Sequence, residues 1–290
     1  MKELYHNYKN NGFVVIPNLF DESKINDLLA ETLRLCREEG SKLPKTHLLT
    51  NESRPPSSLD ELSNDDLVSH FLALHFPHKM SSLFGSMLDA PELVPFLVDL
   101  IGPNVKCMQS MLFVKKAGKP GQAWHQDEHF IPTRDRSLTG VWIALDDATI
   151  ENGCLWVIPG SHKAGVLYPV HSPVTEEYDG APEAFDYPHS PDEAVPVEVT
   201  KGSVVIFHGY LLHSSLKNRA EERYRRALVH HYMSAESLLP WDCGGQIPST
   251  IDNRDIVMVC GKDPYNWKGT EDVLKPYIRG ERIPSQTVEN

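Results

Sequence analysis

The sequence has no CxxC motif, and its five cysteines (Cys36, Cys107, Cys154, Cys243, Cys260) are scattered and odd in number. That argues against a disulfide framework or a thiolate zinc cluster, and predicts a reducing, cytoplasmic setting. No run of 18 apolar residues occurs, so nothing is expected to span a membrane. The opening "MKELYHNYKNNGF" has no apolar segment of the secretory kind, and the closing "TVEN" is not a peroxisomal address. Positive charge is short as well: 28 Lys and Arg stand against 40 Asp and Glu, a formal net charge of -12. Nucleic acid and anionic membrane surfaces are therefore not expected as partners. A small-molecule substrate is, with the protein a monomer or a homodimer.

What is present is an ordinary globular composition, 40% hydrophobic and 23% charged over 290 residues, enough to bury one full core. "GFVVIPNLF" (Gly12–Phe20) reads as a short buried strand. The next 20 residues have helical spacing at Ile25, Leu28, Leu29, Leu33 and Leu35, with Asp21 as N-cap and Gly40 as stop. "KTHLLTNESRPPSSLDELSNDD" reads as a polar surface loop, and "DAPELVPFLVDLIG" as a helix capped by Asp89 with Glu92 three places on. The texture then changes to short strand-like runs: Val105–Lys116, Thr139–Thr149, Cys154–Gly160, Gly202–Gly209 and Arg225–Met233. Helices first and many short strands afterwards predict an α+β fold with a jelly roll or barrel. One domain over 1–290 is expected: helical support to about 104, a strand core over 105–235, and a C-terminal extension over 236–290.

Between Ala164 and Thr200 there is no Lys or Arg, but there are six prolines and eight acidic residues. A segment of that length inside a compact domain reads either as an active-site lid or as a solvated acidic loop; a lid over 164–200, with Leu167–Pro196 as its moving part, is the expectation tested against proteolysis.

One stretch concentrates chemistry. "WHQDEHF" holds the only histidine of the chain followed two places later by an acid, His125 and Asp127. On a strand, residues i and i+2 share a face, so the pair can chelate one ion; it can equally be a hydrogen-bonded pair at a strand end. "VVIFHGYLLHSS" ends a late strand and supplies His213, 86 residues after Asp127. Two imidazoles and one carboxylate form the facial triad of non-haem Fe(II) oxygenases, which leaves positions open for a chelating cosubstrate and dioxygen. His208 competes for the late position, but it directly follows the apolar run Val204–Phe207 and reads as a strand-end residue near the site. His129 shares the ligand face on a strand yet sits too far along, and it and Glu128 read as neighbours of the site. Of His230 and His231 one must face inward, as a satisfied core histidine. Arg225 opens "RRALVHHYM" twelve residues after His213, where a dicarboxylate would need a planar, permanently charged anchor. Alternation puts Arg225, Ala227 and Val229 on one face and Arg226, Leu228 and His230 on the other.

Together "WHQDEHF", "VWIALDDATIENGCLWVIPGSHKAG" and "GSVVIFHGYLLHSSLKNRAEERYRRALVHHY" resemble the phytanoyl-CoA dioxygenase family, over roughly Asp89 to Met233. The resemblance implies a double-stranded β-helix (jelly roll, cupin-like) with flanking helices. It implies an Fe(2+)- and 2-oxoglutarate-dependent dioxygenase, with O2 as cosubstrate and ascorbate as a stimulant, that hydroxylates a small molecule and releases succinate and CO2. His125, Asp127 and His213 would hold iron. Arg225 would pair with the far carboxylate of 2-oxoglutarate, with Arg226 and Arg223 as alternatives because the spacing is one residue longer here. Trp142, Ser215 and Met111 match positions lining the cosubstrate pocket, Gln126 is expected to hydrogen-bond near the metal, and His75 to lie over the site. Asp127 separates this chain from halogenases of the same scaffold, where a small residue stands there. The rival expectations are a catalytically inactive metal-binding jelly roll and a zinc hydrolase.

Overall fold

A computed structural model describes residues 2–40, 61–173, 175–237, 254–272 and 274–280. Most of the expected polar loop, and Cys243, lie outside them. The chain begins with α1 (Lys2–Asn11) and β1 (Phe13–Ile16), then α2 (Glu22–Gly40), whose first turn is capped by Asp21 Oδ1 accepting from Lys24 N at 2.8 Å. After α3 (Asn64–Ser69), β2 (Phe71–His75) and α4 (Ser82–Ser86) comes α5 (Val94–Ile101). The expected Asp89 cap of that helix does not form: the helix starts five residues later, with Pro95 in its first turn, and Glu92 pairs with Lys24 at 2.8 Å instead.

The strand region follows: β3 (Val105–Lys115), β4 (Gln122–His125), the short α6 (Asp127–Phe130), β5 (Thr139–Ala144), β6 (Leu155–Val157), the hairpin β7 (Val170–His171) and β8 (Glu183–Ala184), then β9 (Val195–Val197), β10 (Val204–His208), β11 (His213–Ser215), β12 (Arg225–Ser234), β13 (Val257–Cys260) and β14 (Tyr277–Gly280). The major sheet has the order β1-β10-β5-β12-β3-β2-β14, with β13 also on β3, and the minor sheet the order β4-β11-β6-β9. Every pairing between these strands is antiparallel. This is the double-stranded β-helix, an α+β jelly roll with helices on one flank.

The central strands β5 and β10 of the major sheet are buried on both faces, which is why they read as apolar runs and not as alternating ones. Val141, Ile143, Val204, Ile206 and Leu228 pack with Ile25, Leu28, Phe84 and Leu97 of the helices. Their alternation partners Trp142, Ala144, Val205, Phe207, Ala227 and Val229 pack with Leu155 and Val157 of the minor sheet. The first set anchors the sheet on the helices, and the second forms the inner wall where the site lies. Two glycines let the backbones meet there. A Cβ on Gly121 would sit 1.8 Å from Ser215 O, so only glycine allows β4 to abut β11. Gly153 adopts φ +82° in "ENGCL" and turns its carbonyl toward the inner wall.

Candidate active site and metal centre

His213 lies directly opposite His125 in the β11–β4 register, and the two rings stand 4.1 Å apart. Gln126 keeps an extended backbone (φ −124°, ψ 127°) before α6 begins, so the strand alternation runs one step further and returns Asp127 to the His125 face. Asp127 Oδ1 is 3.7 Å from His125 Nε2 and 3.6 Å from His213 Nε2. Among the described residues these three form the one group of His, Cys, Asp or Glu side chains whose ligand atoms could share a metal ion, all within 4.8 Å of one another.

The hydrogen bonds prepare the two imidazoles for that. His125 Nδ1 donates to Ala123 O at 2.7 Å and His213 Nδ1 to Leu211 O at 3.0 Å. A carbonyl only accepts, so both rings carry their proton on Nδ1 and present a lone pair at Nε2. Burial pushes the His213 pKa down to about 4, which keeps that lone pair free at neutral pH. Burial acts to raise the Asp127 carboxyl, but the surrounding His231, His213 and His125 more than reverse it, so Asp127 is held ionised below the usual carboxylate range.

A cavity of about 480 Å³ opens onto this face and takes its walls from both sheets. On β12, Arg225, Val229 and His231 line it, as the alternation from Arg225 requires. Arg225 is 4% exposed; its Nε donates to Gly153 O at 3.1 Å and its guanidinium lies 5.7 Å from the Trp142 ring. Burial lowers its pKa to about 10, so it stays protonated. Arg226 points the other way into a two-bond pair with Asp146 (2.7 and 2.8 Å), and exposed Arg223 pairs with Glu151. Of the three arginines only Arg225 lines the cavity.

Met111, Trp142 and Ser215 line it as well. Ser215 Oγ accepts from Lys115 Nζ at 2.9 Å and from Gln122 N at 3.2 Å, which leaves its own proton to donate. Lys115 is buried beside Arg225, and burial first, then Arg225, hold its pKa well below the ordinary range. It also donates to Leu216 O at 2.7 Å, so one amino group braces the segment carrying Ser215.

Three expectations are corrected. Gln126 does not reach the metal side: its Nε2 donates to Val166 O (3.0 Å) and Tyr210 O (2.9 Å), and its Oε1 accepts from Tyr168 N (2.9 Å). Standing between two ligands that share a face, it is on the opposite face and ties down the start of the acidic segment. His129 is on α6, not on a strand, and is exposed, while Glu128 is buried and accepts from Thr133 instead of facing the site. The inward histidine of the pair His230 and His231 is His231, which does more than fill the core: its Nε2 donates to Asp127 Oδ2 at 3.0 Å. Its parity with Arg225, six residues earlier, was the available signal. His208 ends β10 and packs against Tyr8 and His162.

His75 does lie at the cavity, stacked on Tyr277 at 4.2 Å with the rings 9° from parallel. Tyr277 belongs to β14, which pairs with β2, and with Leu274 and Arg279 it adds a wall that sequence reasoning missed. Arg279 pairs with Asp179 of the acidic segment at 3.1 Å. The i, i+2 spacing of Tyr277 and Arg279 hints at a strand, but nothing local tells which edge it joins.

A double-stranded β-helix with this donor set and a buried arginine is the architecture of the non-haem iron, 2-oxoglutarate-dependent oxygenases. The phytanoyl-CoA dioxygenase (PhyH) family model matches residues 8–227, and the chain belongs to that family. It is 32% identical over 292 residues to the peroxisomal phytanoyl-CoA dioxygenase of Mus musculus, covering 95% of this chain and 82% of that protein. It is 36% identical over 166 residues to phytanoyl-CoA dioxygenase 1 of Oryza sativa subsp. japonica, covering 56% and 57%. Among solved structures, the non-haem α-ketoglutarate-dependent carbocyclase SnoK of nogalamycin biosynthesis superposes with TM-score 0.63 at 21% identity, covering 89% of this chain and 96% of that one. EvdO2 from Micromonospora carbonacea var. aurantiaca, solved with 2-oxoglutarate, superposes with TM-score 0.61 at 20% identity, covering 83% and 94%. No helix among the described residues is long and apolar enough to cross a membrane.

Proposed function

We propose that the protein hydroxylates an unactivated C–H bond of a small-molecule substrate, with 2-oxoglutarate converted to succinate and CO2. The observation that carries this is one cavity lined both by the His125, Asp127 and His213 donor set and by a buried guanidinium that no carboxylate pairs with among the described residues. The residues fit the group. Two Nε2 lone pairs fixed by Nδ1–H bonds, plus one carboxylate oxygen, suit Fe(2+) and leave coordination positions for other ligands. One buried guanidinium, Arg225, without an acid partner among the described residues suits a carboxylate of the cosubstrate, since a buried charge is costly until it is paired. When bound, Fe(2+) with 2-oxoglutarate and dioxygen supplies the oxidising power that no side chain here has.

The chain's own residues do the rest. Arg225 binds the far carboxylate of the cosubstrate with its planar fork, and the Ser215 hydroxyl donates to it. Lys115 holds that hydroxyl in place. Trp142, Met111, Phe207 and Val229 keep the cosubstrate end dry, so that these charge contacts act at low dielectric. His75, held near pKa 4 mainly by burial, stays neutral at the open end.

The acidic segment 164–200 serves as a lid, tied at its start to Gln126 and through Asp179 to Arg279. Proteolysis of the segment that is equally fast with and without substrate would remove the lid. We read the chain as one catalytic domain, with support to about 104, core over 105–235 and extension over 236–290. It works in a reducing compartment, the cytoplasm, in keeping with four free cysteines at 36, 107, 154 and 260. The function is tested by succinate release from 2-oxoglutarate with Fe(2+) and ascorbate over a substrate panel. Substrate-dependent turnover that Asp127→Ala abolishes is expected; turnover indifferent to that change sinks the reading.

A further inference from the structure

The two oxygens of Asp127 are treated differently by the fold. Oδ1 faces the Nε2 atoms of His125 and His213 at 3.7 and 3.6 Å. Oδ2 accepts a hydrogen bond from His231 Nε2 at 3.0 Å. A carboxylate accepts only, so the His231 proton on this bond sits at Nε2. Its other nitrogen, Nδ1, is buried with no hydrogen-bond partner among the described residues. Leaving a buried polar atom unpaired costs roughly 1–3 kcal/mol, so a histidine here is unfavourable for folding alone.

The backbone around His231 is adapted to this contact. His231 pairs with Gln109 on β3, but the next residue, Tyr232, pairs with Cys107, so Met108 has no counterpart. That irregularity is a β-bulge, a device that re-aims a side chain beside a site. It falls where β12 sends His231 from the major sheet to a carboxylate that follows β4 of the minor sheet. The same strand face carries Arg225 six residues earlier.

We propose that His231 is a positioning residue: by holding Oδ2 it makes Asp127 a one-oxygen ligand and keeps the remaining coordination positions for the cosubstrate and dioxygen. The inference rests on the metal site of the proposed function. A carboxylate turns about a broad, roughly two-fold torsion, so nothing intrinsic to Asp127 prevents it from offering both oxygens or turning away. His231 removes that freedom. Groups that orient a metal ligand in this way typically change metal affinity or activity 10–100-fold when lost.

The test uses Co(2+) as a visible-absorbing probe on the full-length protein, with wild type, His231→Leu, His231→Gln, His231→Asn and Asp127→Ala compared. The expected result for His231→Leu is a Co(2+) dissociation constant raised about 10- to 100-fold, with a changed absorption band as the carboxylate closes onto the ion. Its metal-free melting temperature stays close to that of wild type. His231→Gln, whose amide N–H reaches the place of Nε2–H, restores both the affinity and the band; His231→Asn, one methylene shorter, does not. A folded His231→Leu with wild-type affinity and band overturns the proposal. If His231→Leu fails to fold, the Gln and Asn variants decide: equal affinity in the two overturns it. Wild-type Co(2+) binding that Asp127→Ala leaves intact would overturn the metal site, and this inference with it. Binding abolished by Asp127→Ala but indifferent to His231 would overturn the inference alone.

Discussion

Both sheets line the same cavity, but they bring different chemistry to it. The minor sheet contributes imidazoles on two very short strands, β4 and β11, facing each other in register. The major sheet contributes the permanent charge and the apolar wall, on long strands buried on both faces. The division follows from what each task needs. A metal ligand must be held in one direction, and a cross-strand pair with Nδ1 tied to its own backbone does that with few residues. A buried cation must be kept charged without collapsing onto a partner, and the well-packed sheet buries the Arg225 guanidinium with no acid beside it among the described residues.

That contrast can be broken from either side. Asp127→Ala has the largest expected effect: metal-dependent 2-oxoglutarate turnover is lost while the fold remains, as followed by succinate assay and circular dichroism. Arg225→Ala comes next. Losing one partner of a buried charge pair costs about 2–5 kcal/mol, so the 2-oxoglutarate dissociation constant should rise roughly 30-fold or more by calorimetry, with Co(2+) affinity unchanged. Equal losses of metal and cosubstrate binding in Arg225→Ala would mean that the two sheets do not divide the work.

Glu128 gives a smaller effect on stability. Burial, more than any other influence, raises its pKa to about 7 from the ordinary 4.5. The native state therefore holds this proton more tightly than the unfolded chain does. Its contribution is full below about pH 4.5 and is lost as pH rises through about 7, on the order of 3 kcal/mol. Glu128→Gln should flatten that dependence in denaturant titrations at pH 5 and pH 8. The smallest effect is expected for Arg226→Ala, adjacent to Arg225 but on the other face. It breaks a partly buried pair with Asp146, worth about 1 kcal/mol, and should leave 2-oxoglutarate affinity as it was.

How much of this was legible in the sequence depended on whether the geometry was local. His125 and Asp127 are fixed by a two-residue period and so were readable; alternation left Arg225 and Arg226 on opposite faces without saying which face is inward, and Arg225 was picked out by the family resemblance. The β-helix was readable from short strands after helices, and from the family resemblance. His231 was on the same parity as Arg225, yet its role needs Asp127 on another sheet and a bulge at Met108, neither of which leaves a mark in the neighbouring residues. Gln126 was misread because its place between two ligands suggested proximity, when alternation sends it to the opposite face. Tyr277 and Arg279 were missed because pairing of β14 with β2 spans about two hundred residues of chain, and no turn chemistry announces it.

The register of His213 opposite His125 has a mechanical consequence. A slip of one residue between β4 and β11 would send one imidazole to the far side of the sheet. An ion bound by both rings and Asp127 would therefore act as a rivet through the smaller sheet, and metal at 100 times its dissociation constant would add about 2.7 kcal/mol to stability. The protein's resistance to heat would then report iron supply, and loss of iron would loosen the very strands that recapture it.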